Sequence, residues 1–406
     1  MPRVTDIGTD RTRPGTQLAA GLLDPGLYST DPHRLFRALR AEAPVAWNEE
    51  HGFWAVSRHA DVSAIGFDHQ AFCAHQGILV EEIGVTYETP PTMMHTDPPA
   101  HTRYRRLVQP GFKPTVVRAL EPAIRARARA LVGGLDAGRT VDVVEELSVP
   151  LPLQVISEIM GLPVEDWKRF YEWSEAVIPG ATDWPEERRN QLQGEMISFL
   201  IELTTARRQT PEDDVLTELA RASIDGDRLS DAELAMFLVQ LLVAGNETTR
   251  NMISGGLVAF ADHPGQFERL AADRALVVPA VEEMLRYSTP VVSFMRTATR
   301  PTELSGVAIA EGEPVLMLYA SANRDEEVFG PTSALFDVGR HPNPHIAFGN
   351  GAHFCLGAAL ARLEGRIVLE ELLDRFASVD RAGPVERSGS SVIAGVRRAE
   401  LQFTAA

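Results

Sequence analysis

Cysteine is what this chain has least of: two, Cys73 and Cys355, in 406 residues. So sparse a pair is no disulfide framework, so a reducing compartment is expected and each thiol is judged alone. Long apolar runs are missing too. The longest, LAMFLVQLLVAG at 234–245, is too short for a bilayer and is interrupted by Gln240. The first residues, MPRVTDIGTDRTRPGTQLAAG, carry charges and prolines where a signal peptide needs unbroken apolar sequence. A cytoplasmic protein without a membrane anchor is the expectation. Acidic side chains outnumber basic ones 56 to 39, a net charge of −17, which argues against a nucleic-acid or anionic-lipid partner. No CxxC cluster, dinucleotide fingerprint or internal repeat occurs, so no flavin or iron–sulfur segment is expected.

What is present is an ordinary globular composition, 44% apolar and 23% charged. The patterning predicts one mainly α unit with minor β over residues 1–406. Amphipathic helices are expected near 115–132, 143–160, 165–176, 186–208 and 212–222, and strands in patches at 45–56 and 291–318. The clearest helix opens at SDAE, where Ser230 caps and Glu233 reaches back, and runs from about 231 to 261 through the interior. A proline-rich loop from Ala74 to Pro99 precedes a helix opened by Asp97 and Pro98.

Three constellations carry chemistry. FGNGAHFCLG at 348–357 puts Cys355 just before a helical pattern, where backbone N–H groups and the helix dipole stabilise a thiolate. Gly349, Gly351 and Gly357 would let backbone approach a large flat object. That setting suits a haem iron ligand, although a lone cysteine is more often an inert buried thiol. Cys73, flanked by His69 and His75, reads as a core or surface thiol, and a three-ligand metal site there is the weaker reading. Second, Ala244-Gly245-Asn246-Glu247-Thr248-Thr249 would open a buried helix face and set an acid and an alcohol beside it, with Thr248 bonding back to the Ala244 carbonyl. Taken alone, small residues and threonine in a helix more often serve packing. Third, EEMLR at 282–286 places Glu283 and Arg286 on one helix face, and Arg340 is a candidate further partner if the pair is buried.

Together FGNGAHFCLG, AGNETT and Glu283-Met284-Leu285-Arg286 resemble, in order and spacing, the motifs of the cytochrome P-450 family, and DPPAHTRYRRL at 97–107 extends the likeness. The resemblance implies a cytochrome P-450 fold with haem b between the long central helix and the cysteine loop. It implies Cys355 as the axial thiolate, Glu247 and Thr248 as the proton-delivery pair, and Glu283, Arg286 and Arg340 as a structural triad. It places Ala244, Gly245, Phe348, Gly349 and Gly357 at the cofactor, and assigns its propionates to His101, Arg105, Arg296 and His353.

The same resemblance implies a monooxygenase that uses dioxygen, with electrons from a separate ferredoxin and ferredoxin reductase. Arg103, Arg106, Lys113 and Arg362 would form a local basic face for an acidic donor. The pocket would draw on Ile78, Leu79, Val80, Ile83, Val85, Tyr87, Met93, Met94, Val243, Val291, Val292 and Phe294, an apolar lining for a hydrophobic small molecule. Phrases such as MMHTDPPAHTRYRRLV and SANRDEEVF are similar to the actinobacterial branch acting on sterols, steroids and branched lipids; terpenoids and polyketide or macrolide intermediates are the alternatives. A non-enzymatic haem sensor would not need Glu247 and Thr248. A cysteine nucleophile with His353 as base is poor geometry two residues apart.

Overall fold

The computed structural model describes residues 13–85, 92–178, 182–212, 214–224 and 226–406. Tyr87 lies outside the described residues.

Among the described residues, ten strands form three sheets. They are β1 (Val45–Asn48), β2 (Phe53–Val56), β3 (Phe72–Cys73), β4 (Thr140–Asp142), β5 (Ser293–Ala298), β6 (Thr302–Leu304), β7 (Val307–Ile309), β8 (Pro314–Leu318), β9 (Phe376–Arg387) and β10 (Val396–Ala405). The largest sheet runs β1-β2-β8-β5-β3, with β2 and β8 parallel and the other pairs antiparallel. Both faces of its middle strands are buried. Val56, Val315 and Met317 pack on one side, and Phe53, Ala55, Leu316 and Leu318 on the other, which is why FWAV and PVLML read as continuous apolar runs. The polar turn expected inside 45–56 joins β1 to β2, and β5 to β8 fill the patch at 291–318.

The central helix spans Asp231–Asp262 and is capped as the sequence predicts. Ser230 Oγ accepts from the Glu233 amide at 3.2 Å and Glu233 accepts from the Ser230 amide at 2.8 Å. Most of its length lies in the main core with the helices Pro150–Ile159, Val277–Ser288 and Ala358–Leu373.

Several expected helices are interrupted where proline removes an N–H. The stretch 115–132 divides into Pro114–Ala119 and Glu121–Gly133, with Pro122 in the first turn of the second. The stretch 143–160 becomes a π turn, Val144–Ser148, followed by Pro150–Ile159. The segment at 165–176 begins with a 3₁₀ turn before Trp167–Val177, 186–208 is Glu186–Gln209, and 212–222 shortens to Val215–Arg221. Asp97 does not cap the helix Ala100–Val108 with its side chain. Its backbone carbonyl accepts from the His101 amide, while its carboxylate turns back to the amides of Ala74 and His75.

Candidate active site

The cysteine loop is fixed from beneath by backbone. Cys355 N–H donates to the Phe348 carbonyl at 2.9 Å, and Gly349 N–H to the Ile346 carbonyl at 2.9 Å. Gly351 has φ of 63°, and a Cβ there would lie 2.1 Å from the Gly66 carbonyl oxygen. Only glycine lets the loop seat this closely on the helix His59–Phe67, where Asn350 also donates to the Ser63 carbonyl at 3.1 Å. The helix Ala358–Leu373 begins three residues after Cys355. Burial pushes the Cys355 thiol up, while the amides of Gly357 and Ala358 and the guanidinium groups of Arg105 and Arg362 pull the other way. Those groups face the Cys355 sulfur and would soften the charge of its thiolate on a metal. Phe348 packs at the core edge under the Arg362 guanidinium, 4.5 Å from its ring centre.

Beside the thiol, two imidazoles and two guanidinium groups come together from three distant segments. His101 and Arg105 come from the helix Ala100–Val108, Arg296 from β5 and His353 from the loop itself. The His101 and His353 ring centres are 4.3 Å apart. The Nε2 atoms of both rings are buried without a hydrogen-bond partner. Burial first, then the neighbouring arginines, lowers the pKa of both, His353 to about 3. Arg296 donates to the Met295 carbonyl at 2.7 Å and Arg105 to the Ala352 carbonyl at 3.3 Å. A site so rich in cations and unpaired ring nitrogens fits the two carboxylates of a haem, which would take the ring N–H groups and offset the repulsion.

On the central helix Ala244 is exposed although it sits mid-helix, and one turn later Thr248 Oγ1 donates to the Ala244 carbonyl at 2.7 Å. A Cβ on Gly245 would meet Ile156 at 3.0 Å, so this glycine serves the packing of the helix Pro150–Ile159. Glu247 points elsewhere than Thr248. Its carboxylate is buried, accepts from Arg250 at 2.5 Å and from Asn246 at 3.1 Å, and Arg250 in turn donates to Glu175 at 2.9 Å. Burial pushes the Glu247 carboxyl up and Arg250 opposes it. A small, largely enclosed cavity adjoins this cluster, lined by Tyr171, Glu175, Glu247, Arg250, Ser388 and Ser390.

Glu283, Arg286 and Arg340 form one buried network. Arg286 donates to Glu283 at 2.7 and 2.8 Å, and Arg340 Nε at 3.1 and 3.2 Å. The Asp337 amide and Asn343 also donate to that carboxylate, and Arg286 reaches the carbonyls of Asn323, Ser333 and Leu335. The network pins the 323–343 segment leading into the cysteine loop. None of its members adjoins Cys355 in the hydrogen-bond pattern.

Of the apolar lining residues, Val243, Val291, Phe294 and Leu79 gather in one cluster around Ile178, Val392 and Ile393. The last three were not anticipated; VI at 392–393, a short apolar pair after Ser388, Ser390 and Ser391, was the sequence signal for two of them. Val80, Ile83 and Val292 pack instead with the N-terminal cluster of Tyr28, Phe36 and Phe53, because that face of the sheet needs covering. Met93 joins the main core beside Tyr104 and Leu107, Ile78 is buried and its carbonyl accepts from the Met295 amide, and Val85 is exposed. Arg103 and Arg362 are held in ion pairs, Arg103 with Asp227 and Glu233 and Arg362 with Glu282, which leaves Arg106 and Lys113 as exposed cations.

Comparison with known proteins agrees with this geometry. A family model described as cytochrome P450 matches residues 135–388. The steroid C26-monooxygenase of Mycobacterium tuberculosis is 36% identical, with 98% of this chain and 96% of that protein covered. The linalool 8-monooxygenase of Pseudomonas putida is 36% identical over 93% of this chain and 97% of its own. The solved structure of cytochrome P450 CYP109Q5 from Chondromyces apiculatus superposes with a TM-score of 0.86 at 35% identity, covering 95% of this chain and 98% of that one. Haem b is the family's cofactor, the donor set around Cys355 suits it, and this chain belongs to the cytochrome P450 family of monooxygenases.

Proposed function

We propose that the protein hydroxylates a steroid, sterol or branched lipid with one atom of dioxygen, using electrons from a separate ferredoxin and its reductase. The observation that carries the substrate class is the apolar cluster of Val243, Val291, Phe294, Ile178 and Ile393 beside the exposed Ala244. So apolar a cluster favours a hydrocarbon surface over a hydroxylated or charged one. The steroid C26-monooxygenase relative supports the same class.

When bound, the haem supplies oxygen activation and atom insertion. The chain's own groups do the rest. Cys355 would hold the haem iron, and the amides of Gly357 and Ala358 would temper its charge. His101, Arg105, Arg296 and His353 would hold the propionates. Thr248 keeps a hydroxyl proton at the helix groove by bonding to the Ala244 carbonyl, and Glu247 holds a proton source one residue away. We read residues 1–406 as one such domain, working in the cytoplasm; no described helix is long and apolar enough to cross a membrane.

An optical titration of the haem-loaded protein tests the reading. Steroids and branched lipids should give a saturable low-to-high spin shift as they displace iron-bound water, followed by hydroxylated product when a ferredoxin system is added. A shift confined to terpenoids such as linalool, the substrate named for one relative, or to macrolides would overturn the steroid assignment and leave the monooxygenase family untouched.

A further inference from the structure

Outside the haem site, and among the described residues, Cys73, His75 and Asp97 bring one thiol, one imidazole and one carboxylate together, with their ligand atoms all within 4.8 Å of one another. We propose that this cluster is a binding site for a thiophilic divalent cation of the zinc class, with water in its fourth position. The sequence pattern suggested His69 as the third partner; the fold supplies Asp97 instead, from 22 residues beyond His75.

The donor set is one that zinc accepts, and bonds of about 2.0–2.3 Å place tetrahedral ligand atoms about 3.3–3.8 Å apart. The small adjustment falls on His75, whose side chain is 57% exposed, whereas Cys73 is buried in β3, paired to Thr297 of β5. The carboxylate is already oriented. Asp97 Oδ1 accepts from the Ala74 amide at 2.9 Å and Oδ2 from the His75 amide at 3.0 Å, the outer hydrogen bonds that hold a metal ligand in place. Only the 2.7 Å contact between His75 Nδ1 and Asp97 Oδ2 would be replaced by the metal.

Binding balances simply: the thiol proton of Cys73 leaves to solvent, and the imidazole proton of His75 resides on Nε2, which frees Nδ1 to ligate. Burial and the adjacent Asp97 carboxylate push the bare thiol up, so its anion is costly without a cation. The site would join β3 to the residue whose carbonyl begins the His101 helix, closing the base of the loop that carries Leu79. It is independent of the haem-thiolate assignment, because Cys355 takes no part.

The test uses chelator-washed holoprotein titrated with cadmium, then with zinc in competition with a chromophoric chelator. One equivalent of cadmium should raise an ultraviolet thiolate-to-cadmium charge-transfer band with the haem spectrum unchanged. Cys73→Ser should abolish that band, and His75→Ala, at an exposed position that leaves folding intact, should weaken zinc binding by about 10-fold or more. No charge-transfer band, a band that survives Cys73→Ser, or zinc affinity unchanged in His75→Ala would each overturn the proposal.

Discussion

Glu364, nine residues after Cys355, is 1% exposed, and its Oε2 has no hydrogen-bond partner. Burial pushes its carboxyl up to about 8. Glu247 is pushed in the same direction, yet it has Arg250 at 2.5 Å to receive its charge. Among the described residues Glu364 has no such cation, so its protonated form is what the folded protein prefers. The folded state then holds a proton that the unfolded chain releases near the ordinary glutamate value of about 4.3. Stability from this group is complete below that value and falls as pH rises toward about 8, by about 1.4 kcal/mol per pH unit. Glu364→Gln keeps the shape and removes the charge. Its advantage over the native protein in urea unfolding should be near zero below about pH 4 and grow steadily to about pH 8; a difference that does not change with pH would refute the assignment. From sequence, Glu364 is one more polar residue in a helical pattern, since its burial depends on neighbours brought in by the fold.

The cysteine loop shows at the level of elements what a motif encodes and what it hides. FGNGAHFCLG marks Cys355 and a need for glycine, but which glycine bears the tightest constraint depends on the helix His59–Phe67, almost 300 residues earlier in the chain. Gly349 and Gly351 both have positive φ, so alanine at either is strained by about 1 kcal/mol. At Gly351 an added Cβ also meets the Gly66 backbone at 2.1 Å, whereas at Gly349 the nearest atom is 3.9 Å away. Gly351→Ala should therefore lower haem occupancy of the purified protein several-fold more than Gly349→Ala, read as haem absorbance per protein; equal occupancy would show that the seating on Gly66 is dispensable. Elements with clear periodicity or caps, such as the central helix, were legible to within a residue at their ends. The hairpin of β9 and β10 was not. Gly383 and Pro384 lie within β9 and break its sequence pattern, and register shifts at Val396/Arg398, Ala399/Leu401 and Thr404/Ala405 break the alternation that marks a strand.

Charge is a property of the whole molecule, and at −17 the chain as a unit repels an acidic electron donor. The basic face expected near the thiolate is smaller than the sequence suggested. Arg103 is neutralised by Asp227 and Glu233, more than 120 residues away, and Arg362 by Glu282, 80 residues away, pairings that only the fold creates. Among the described residues, Arg106, Lys113 and Arg118 stay without an ion-pair partner, all exposed, on the segment that follows His101 and Arg105. Near it Phe354, adjacent to Cys355, is 41% exposed, and Phe67 on the helix beneath the loop is 66% exposed, apolar contacts of the kind found at the centre of docking interfaces. Three cations against a large opposing net charge make steering short-ranged and sensitive to salt. Arg106→Glu combined with Lys113→Glu should slow haem reduction by an acidic ferredoxin about 10-fold or more at low ionic strength and flatten its salt dependence, while reduction by dithionite is unchanged. If stopped-flow traces show the same rate and the same salt slope as the native protein, the donor docks elsewhere, and the paired arginines Arg103 and Arg362 become the next surface to open.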